Sequence, residues 1–264
     1  MVIGFIGLGN MAKAMIGGIL KKEIVSPEDI VGSAHTQETR EKVARELGIR
    51  TEESNVQVVR DADIIVLAVK PQFLRVVLEE IRDALEPSKL VISVAAGKTT
   101  KWLGEELGKP VKIVRCMPNT PALVEEGCSA VCRNENVSDE ELETAMGLIG
   151  SFGMAEVVPE TLMDTVGGVS GSSPAYVFLF IEAMADAAVK GGMPRKQAYR
   201  FAAQSVLGSA KLLLETGMHP GELKDMVCSP GGTTIEAVEV LEKRGMRAAV
   251  MEAIGAAIEK SKKL

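Results

Sequence analysis

The 264-residue sequence predicts an α/β protein: an N-terminal Rossmann-type domain with a doubly wound, mostly parallel sheet, followed by an all-α domain. Three observations carry this. Over residues 1–160, short apolar runs alternate with helical spacing. A glycine turn, GLGNMA at residues 7–12, stands between the first run and the first helical pattern. Beyond residue 160 the strand-like runs stop, and helical spacing remains with Gly and Pro punctuation. The expected division is residues 1–160 and 161–264, with a short junction near 158–162.

Each element has its own signal. VIGFIG (2–7) is a short apolar run, and a helical pattern covers 10–22. EDIVGS (28–33) reads as a second strand. The next helix, 36–47, stops at Gly48, a residue suited to the left-handed position after a helix. DIIVLAV (63–69) is apolar on both faces, as a central parallel strand must be when helices cover each side. Lys70 and Pro71 break it, and helical spacing returns over 72–85. LVISVA (90–95) and VKIVRCM (111–117) repeat the strand signal around another helix, and CSAVC (128–132) repeats it weakly. Ser138 and Glu141 have capping-box spacing at the start of a helix over 138–152. In the second half, the helices are rich in Ala, Gly and Ser, which permit close helix–helix approach. That suits a dimerisation unit and equally a monomer's core.

Composition narrows the class. Apolar residues make up 46% and charged residues 25%, as in soluble globular proteins, while aromatics are only 3%, so the core is aliphatic. A net charge of −6 argues against a nucleic-acid partner. Lys260, Lys262 and Lys263 form the one basic cluster and read as a helix terminus that favours cations. The four cysteines show no paired metal spacing, so no metal site is expected, and reduced thiols fit a cytoplasmic protein. The uncharged tract of residues 165–181 holds several glycines and a proline and falls short of the roughly 20 residues a membrane span needs. No membrane association is expected.

Two motifs carry chemistry. Gly7 makes the tight turn of the dinucleotide fingerprint, Gly9 lets backbone approach a pyrophosphate, and Ala12 takes the third glycine's packing position. The end of the second strand reads Gly32-Ser33-Ala34-His35-Thr36, with no acid before Glu38 and with Arg40 close by. An NAD site ordinarily has an acid there for the ribose, so NADP is favoured and NAD stays open. Lys70, Pro71, Ala95, Ala96 and Gly97 end strands at the edge where ligands gather. The RCMPNTP turn, with Asn119 as a candidate cofactor contact, closes over the nicotinamide or is simply a rigid turn fixed by two prolines. The second motif is SPGGTTIEAVEVL. Pro230 suits a first helical position, Thr233 and Glu236 have capping-box spacing, and Gly231-Gly232 offer unbranched backbone to a small anion.

Together GFIGLGNMAKAM, LAVKPQ, AAGKT, RCMPNTP, SGSSPAYVF and HPGELKDMVCSPGGTTI resemble the pyrroline-5-carboxylate reductase family over the whole chain. Ser173 departs from the glycine the family usually has in this stretch. The resemblance implies NAD(P)H bound by Ile6, Gly7, Leu8, Gly9, Asn10, Met11, Ser33, Asn55, Ala68, Val69, Lys70, Pro71, Ala95, Ala96 and Gly97. It implies a substrate carboxylate on the amides around Ser229, Gly231, Gly232, Thr233 and Thr234, with the Thr234 hydroxyl near the ring nitrogen as the catalytic group. It also implies reduction of 1-pyrroline-5-carboxylate to L-proline by a homodimer, assembled further into a decamer of five dimers. Two other readings share parts of the pattern: a different NADP-dependent imine or β-hydroxyacid oxidoreductase, and a non-catalytic NADP-sensing scaffold. The first usually needs a lysine with an asparagine one turn on, and no such pair follows Gly167-Gly168 before Glu182. The second leaves the Ser229–Thr234 loop unexplained.

Overall fold

In a computed structural model, which describes residues 1–263, eight strands form one sheet. They are β1 Ile3–Ile6, β2 Ile30–Ser33, β3 Arg50–Glu52, β4 Ile64–Leu67, β5 Leu90–Ser93, β6 Lys112–Met117, β7 Gly127–Arg133 and β8 Gly153–Val157. Their spatial order is β3-β2-β1-β4-β5-β6-β7-β8, parallel throughout except for the antiparallel pair β6–β7. The first six follow the doubly wound Rossmann order, which reverses direction between β1 and β4.

The helices are α1 Asn10–Lys21, α2 Gln37–Leu47, α3 Asn55–Asp61, α4 Pro71–Ile81, α5 Thr100–Leu107, α6 Asp139–Ile149 and α7 Met163–Val166. Then follow α8 Ser173–Lys190, α9 Arg195–Thr216, α10 Pro220–Val227, α11 Thr233–Lys243 and α12 Met246–Ser261. Packing divides the chain into Met1–Ser172 with Ala257–Leu264, and Ser173–Ala256. The first unit thus runs past residue 160 and takes in the end of α12.

Alternation along each strand builds two cores. Ile3, Phe5, Ile64, Val66, Leu90 and Ile92 face one side of the sheet, where Ala12, Met15, Ile16 and Ile19 of α1 and Leu148 and Ile149 of α6 meet them. Ile6, Ile65, Leu67 and Val91 face the other, against Val58 of α3, Leu74 and Leu78 of α4 and Leu103 of α5. Burial on both faces is what gave β1, β4 and β5 their continuous apolar runs.

Caps set several boundaries. Gly48 ends α2 at φ 72°, and Ser138 with Glu141 forms a reciprocal capping box on α6. Thr36 stands outside α2 as its cap, accepting the Thr39 amide. Strands β3 and β8 and helix α3 have no counterpart in the sequence reading. Both strands are partly exposed sheet edges held by backbone pairing, so no apolar period marks them. Where β7 and β8 meet, a Cβ on Gly153 would lie 2.1 Å from the Gly127 carbonyl oxygen, so only glycine fits.

The second unit is helical and contains no strand among the described residues. Its buried apolar residues are three alanines, Ala185, Ala198 and Ala202. By contrast Phe178 of α8 and Phe201 and Leu214 of α9 are exposed in a single chain. The continuous helical stretch Glu160–Lys190 is longer than the uncharged tract in the sequence and is long and apolar enough to cross a membrane by composition. It begins inside the first unit, with Glu160 paired to Arg115 and Asp164 bonded to Ser261.

Candidate functional site

The turn after β1 is shaped by two glycines for different reasons. Gly7 has φ +96°, donates its N–H to the Ser33 carbonyl at 3.0 Å, and a Cβ there would lie 2.9 Å from the Ala68 oxygen. The fold itself demands this glycine. Gly9 is the opposite case. Its φ of −75° suits any residue, and a Cβ there would meet nothing within 4 Å. It begins α1 with no side-chain cap, so the first amides of the helix carry no side-chain acceptor. Such a start favours an anion.

This turn borders a cavity of about 850 Å³ on the first unit. Residues 7–11, 68–71 and 95–96 line it, placing together the ends of β1, β4 and β5. Met117, Pro118 and Thr120 of the RCMPNTP turn line it too, with Gly167, Gly171 and Ser172. Residues Gly167–Gly171 form one π-helical turn, a distortion common at functional sites. The ionisable side chains of the lining are His35, Lys70 and Lys260, and no carboxylate is among them. In a chain of net charge −6, that local excess of cations suits an anionic ligand.

Other candidate residues sit behind this lining. Ile6 is buried in the sheet's second core. The buried Ser33 hydroxyl donates to Asn55 Oδ1 at 2.6 Å, and Asn55 Nδ2 donates to Glu80 at 2.7 Å. Gly97 turns the β5–α5 loop at φ +72°. The Asn119 amide donates to the Ser170 carbonyl at 3.0 Å and accepts the Cys128 N–H at 2.8 Å, tying the π-helical turn to β7. Arg40 is held by the loop it follows: Nη1 donates to the Ala34 carbonyl at 2.7 Å and Nη2 lies 4.0 Å from Glu53. His35 is exposed and lines the cavity as well.

Arg115 points elsewhere. It is buried, pairs with Glu160 at 3.1 Å, and its Nε has no partner among the described residues. Burial pushes the thiols of neighbouring Cys116 and Cys132 up to about 12, which keeps them protonated and unreactive near neutrality.

The Ser229–Thr234 loop belongs to the second unit. Gly231 has φ +68° and the Gly232 N–H donates to the Ser229 carbonyl at 2.9 Å, a turn with Pro230 and Gly231 at its centre. Pro230 is therefore a turn residue, not the first residue of a helix. Thr233, not a cap, begins α11; the cap is Gly232 and no side chain bonds to it. The expected capping box with Glu236 is absent, because Thr233 already lies inside the helix. Gly232's own amide is engaged in the turn, so the unengaged donors are the first amides of α11. The Thr234 hydroxyl has no hydrogen-bond partner among the described residues. By contrast His219 caps α10 through Nδ1, which accepts the Gly221 amide.

Comparison with known proteins decides the family. A pyrroline-5-carboxylate reductase of Escherichia coli (strain K12) is 54% identical over 262 residues, covering 99% of this chain and 97% of that protein. The chain belongs to the pyrroline-5-carboxylate reductase family. Residues 160–264 match the family described as pyrroline-5-carboxylate reductase dimerisation, and residues 2–97 match one described as NADP oxidoreductase, coenzyme F420-dependent. A solved pyrroline-5-carboxylate reductase of Coxiella burnetii superposes with a TM-score of 0.92 at 36% identity, covering 99% of this chain and 97% of that one. The Plasmodium falciparum pyrroline carboxylate reductase, solved with NADP bound, gives 0.91 at 36% identity over 100% and 97% of the two chains. Membership in a reductase family with a dimerisation region gives the exposed apolar helices of the second unit a natural cover: another chain.

The sequence reading missed the end of the chain. Ala257, Lys260 and Ser261 line the cavity, and no local pattern brings residues so distant in sequence to the β1 turn.

Proposed function

We propose that the protein reduces 1-pyrroline-5-carboxylate to L-proline with NADPH, closing proline biosynthesis as a cytoplasmic homodimer that assembles into a decamer of five dimers. The observation that carries the reading is Gly9. Nothing in the folded chain needs a glycine there, and space lies open beside an uncapped helix start.

The cavity residues fit a dinucleotide. The amides at the start of α1 hold its pyrophosphate, and residues 68–71 and 95–97 flank it along the strand ends. Ser33, Asn55 and Asn119 act from behind, fixing the loops whose backbone makes the contacts. A reduced nicotinamide supplies the hydride when bound. NADPH is preferred over NADH because the end of β2 carries no acid for the ribose hydroxyls, while His35 and Thr39 face the cavity. Arg40, anchored on the Ala34 carbonyl, lends its charge beneath that loop.

The first amides of α11 take the substrate carboxylate, favoured by the helix dipole. Ser229, Gly231 and Gly232 shape the turn that exposes them. The imine takes a proton from solvent and accepts hydride as the iminium ion; the C=N pair collapses onto nitrogen, which then binds a second proton to give the ammonium of proline. Thr234 Oγ1, or a water it orders, relays protons between solvent and that nitrogen. The chain's main contribution is holding two reactants in line, which accounts for a site without an acid–base dyad.

The test is NADPH consumption by the purified protein with 1-pyrroline-5-carboxylate, paired with detection of proline. Turnover with a β-hydroxyacid instead, or NADPH binding without turnover, refutes the reading. The ratio of kcat/KM for NADPH to that for NADH tests the cofactor preference.

A further inference from the structure

The basic cluster at the chain's end does not act as one group. Lys262 lies 2.7 Å from Glu259, an i,i+3 pair on the helix surface. Lys260 lines the cavity instead, and its ammonium makes no ion pair or hydrogen bond among the described residues. The last turn of α12 packs within the first unit. Ser261 Oγ donates to Asp164 Oδ1 at 2.7 Å, and a Cβ on Gly167 would lie 3.9 Å from that Oγ and 3.6 Å from Met117 Cε. Ala257 and Ser261 therefore form part of the wall beside the end of β6.

A helix C-terminus favours a lysine in its last turn, and Lys260 is the basic residue of the last turn of α12, with Lys262 just beyond the helix. That preference accounts for a cation in the last turn, but not for its place on the lining of a cavity whose other ionisable groups are Lys70 and His35. Two lysines line this cavity and no carboxylate does, which favours an anion there.

We infer that Lys260 is an anion-binding residue of this cavity and that the last turn of α12, latched by Ser261 to Asp164, is a wall of the site. The anion is a phosphate or carboxylate: the dinucleotide's pyrophosphate or the substrate's carboxylate. The inference rests on the reading of the cavity as the dinucleotide site.

The experiment compares full-length wild type, Lys260→Met and Lys260→Arg at low and moderate salt. It reads the NADPH Kd by fluorescence titration and the KM for 1-pyrroline-5-carboxylate. Lys260→Met is expected to weaken one of these constants about three- to fivefold at low salt, the range for a solvent-accessible ion pair. The loss should shrink as salt rises, Lys260→Arg should restore the constant, and kcat should hardly change. Movement of Kd assigns the lysine to the dinucleotide, and movement of KM to the substrate carboxylate. The inference is overturned if Lys260→Met leaves both constants unchanged beside a wild type that binds NADPH, or if Lys260→Arg fails as badly as Lys260→Met. A wild type that binds no NADPH overturns the functional reading and this inference together.

Discussion

Glu160 holds Thr100 twice: Oε1 accepts the Thr100 amide and Oε2 the Thr100 hydroxyl, each at 2.8 Å. Oε1 also accepts from the buried Arg115 at 3.1 Å. One carboxylate thus fastens the first turn of α5 to β6, and with it the loop that brings Ala95 and Ala96 to the cavity. Glu160→Ala should lower stability by about 2 kcal/mol, since it strands a buried guanidinium and a helix-start amide. The shift in urea midpoint measures this. An unchanged midpoint would mean that water replaces the carboxylate without loss.

The two glycines of the first turn should respond differently. Gly7→Ala forces a side chain onto a left-handed backbone against Ala68, and should cost about 1–3 kcal/mol of stability. Gly9→Val meets open space and should leave the unfolding midpoint near wild type. Its NADPH affinity should fall at least about tenfold, because the side chain takes the place of the pyrophosphate. Titration beside thermal unfolding separates the two effects.

Thr234→Ala should lower kcat/KM for the imine by about tenfold, the order of one transition-state hydrogen bond, with NADPH affinity hardly changed. Thr234→Ser should recover most of the loss. Equal turnover by wild type and Thr234→Ala would remove the hydroxyl from the mechanism.

Alkaline stability should depend on the buried thiols. Unfolded, Cys116 and Cys132 lose protons from about pH 9; folded, burial holds them protonated to about 12. Between these values the folded state binds more protons, so stability falls as pH rises. A Cys116→Ala, Cys132→Ala double variant should show a shallower fall in Tm above pH 9 than wild type, whatever its Tm at neutrality. Parallel curves would contradict the assignment.

The sequence was most readable where local chemistry and burial agreed. DIIVLAV announces a strand covered on both faces because β4 has both cores against it. Gly48 and the Ser138–Glu141 pair mark helix ends through the same bonds the structure contains. The reading failed where backbone pairing alone defines an element, as at β3 and β8. It also misplaced the start of α11, because Pro230 suits the centre of a turn as well as the start of a helix, and only the Gly232–Ser229 bond distinguishes them. Lys260 was visible as a cation, but its place in the cavity depends on tertiary packing.

Hydride transfer to 1-pyrroline-5-carboxylate is the reaction on which the roles proposed for Gly9 and Thr234 both depend. Its most direct test is mass spectrometry of the product formed from 1-pyrroline-5-carboxylate and NADPH deuterated on the transferring face of the nicotinamide. The expected product is proline with a single deuterium on the ring carbon next to nitrogen that does not carry the carboxylate. Proline without the label, or no proline at all, would contradict the proposed reaction.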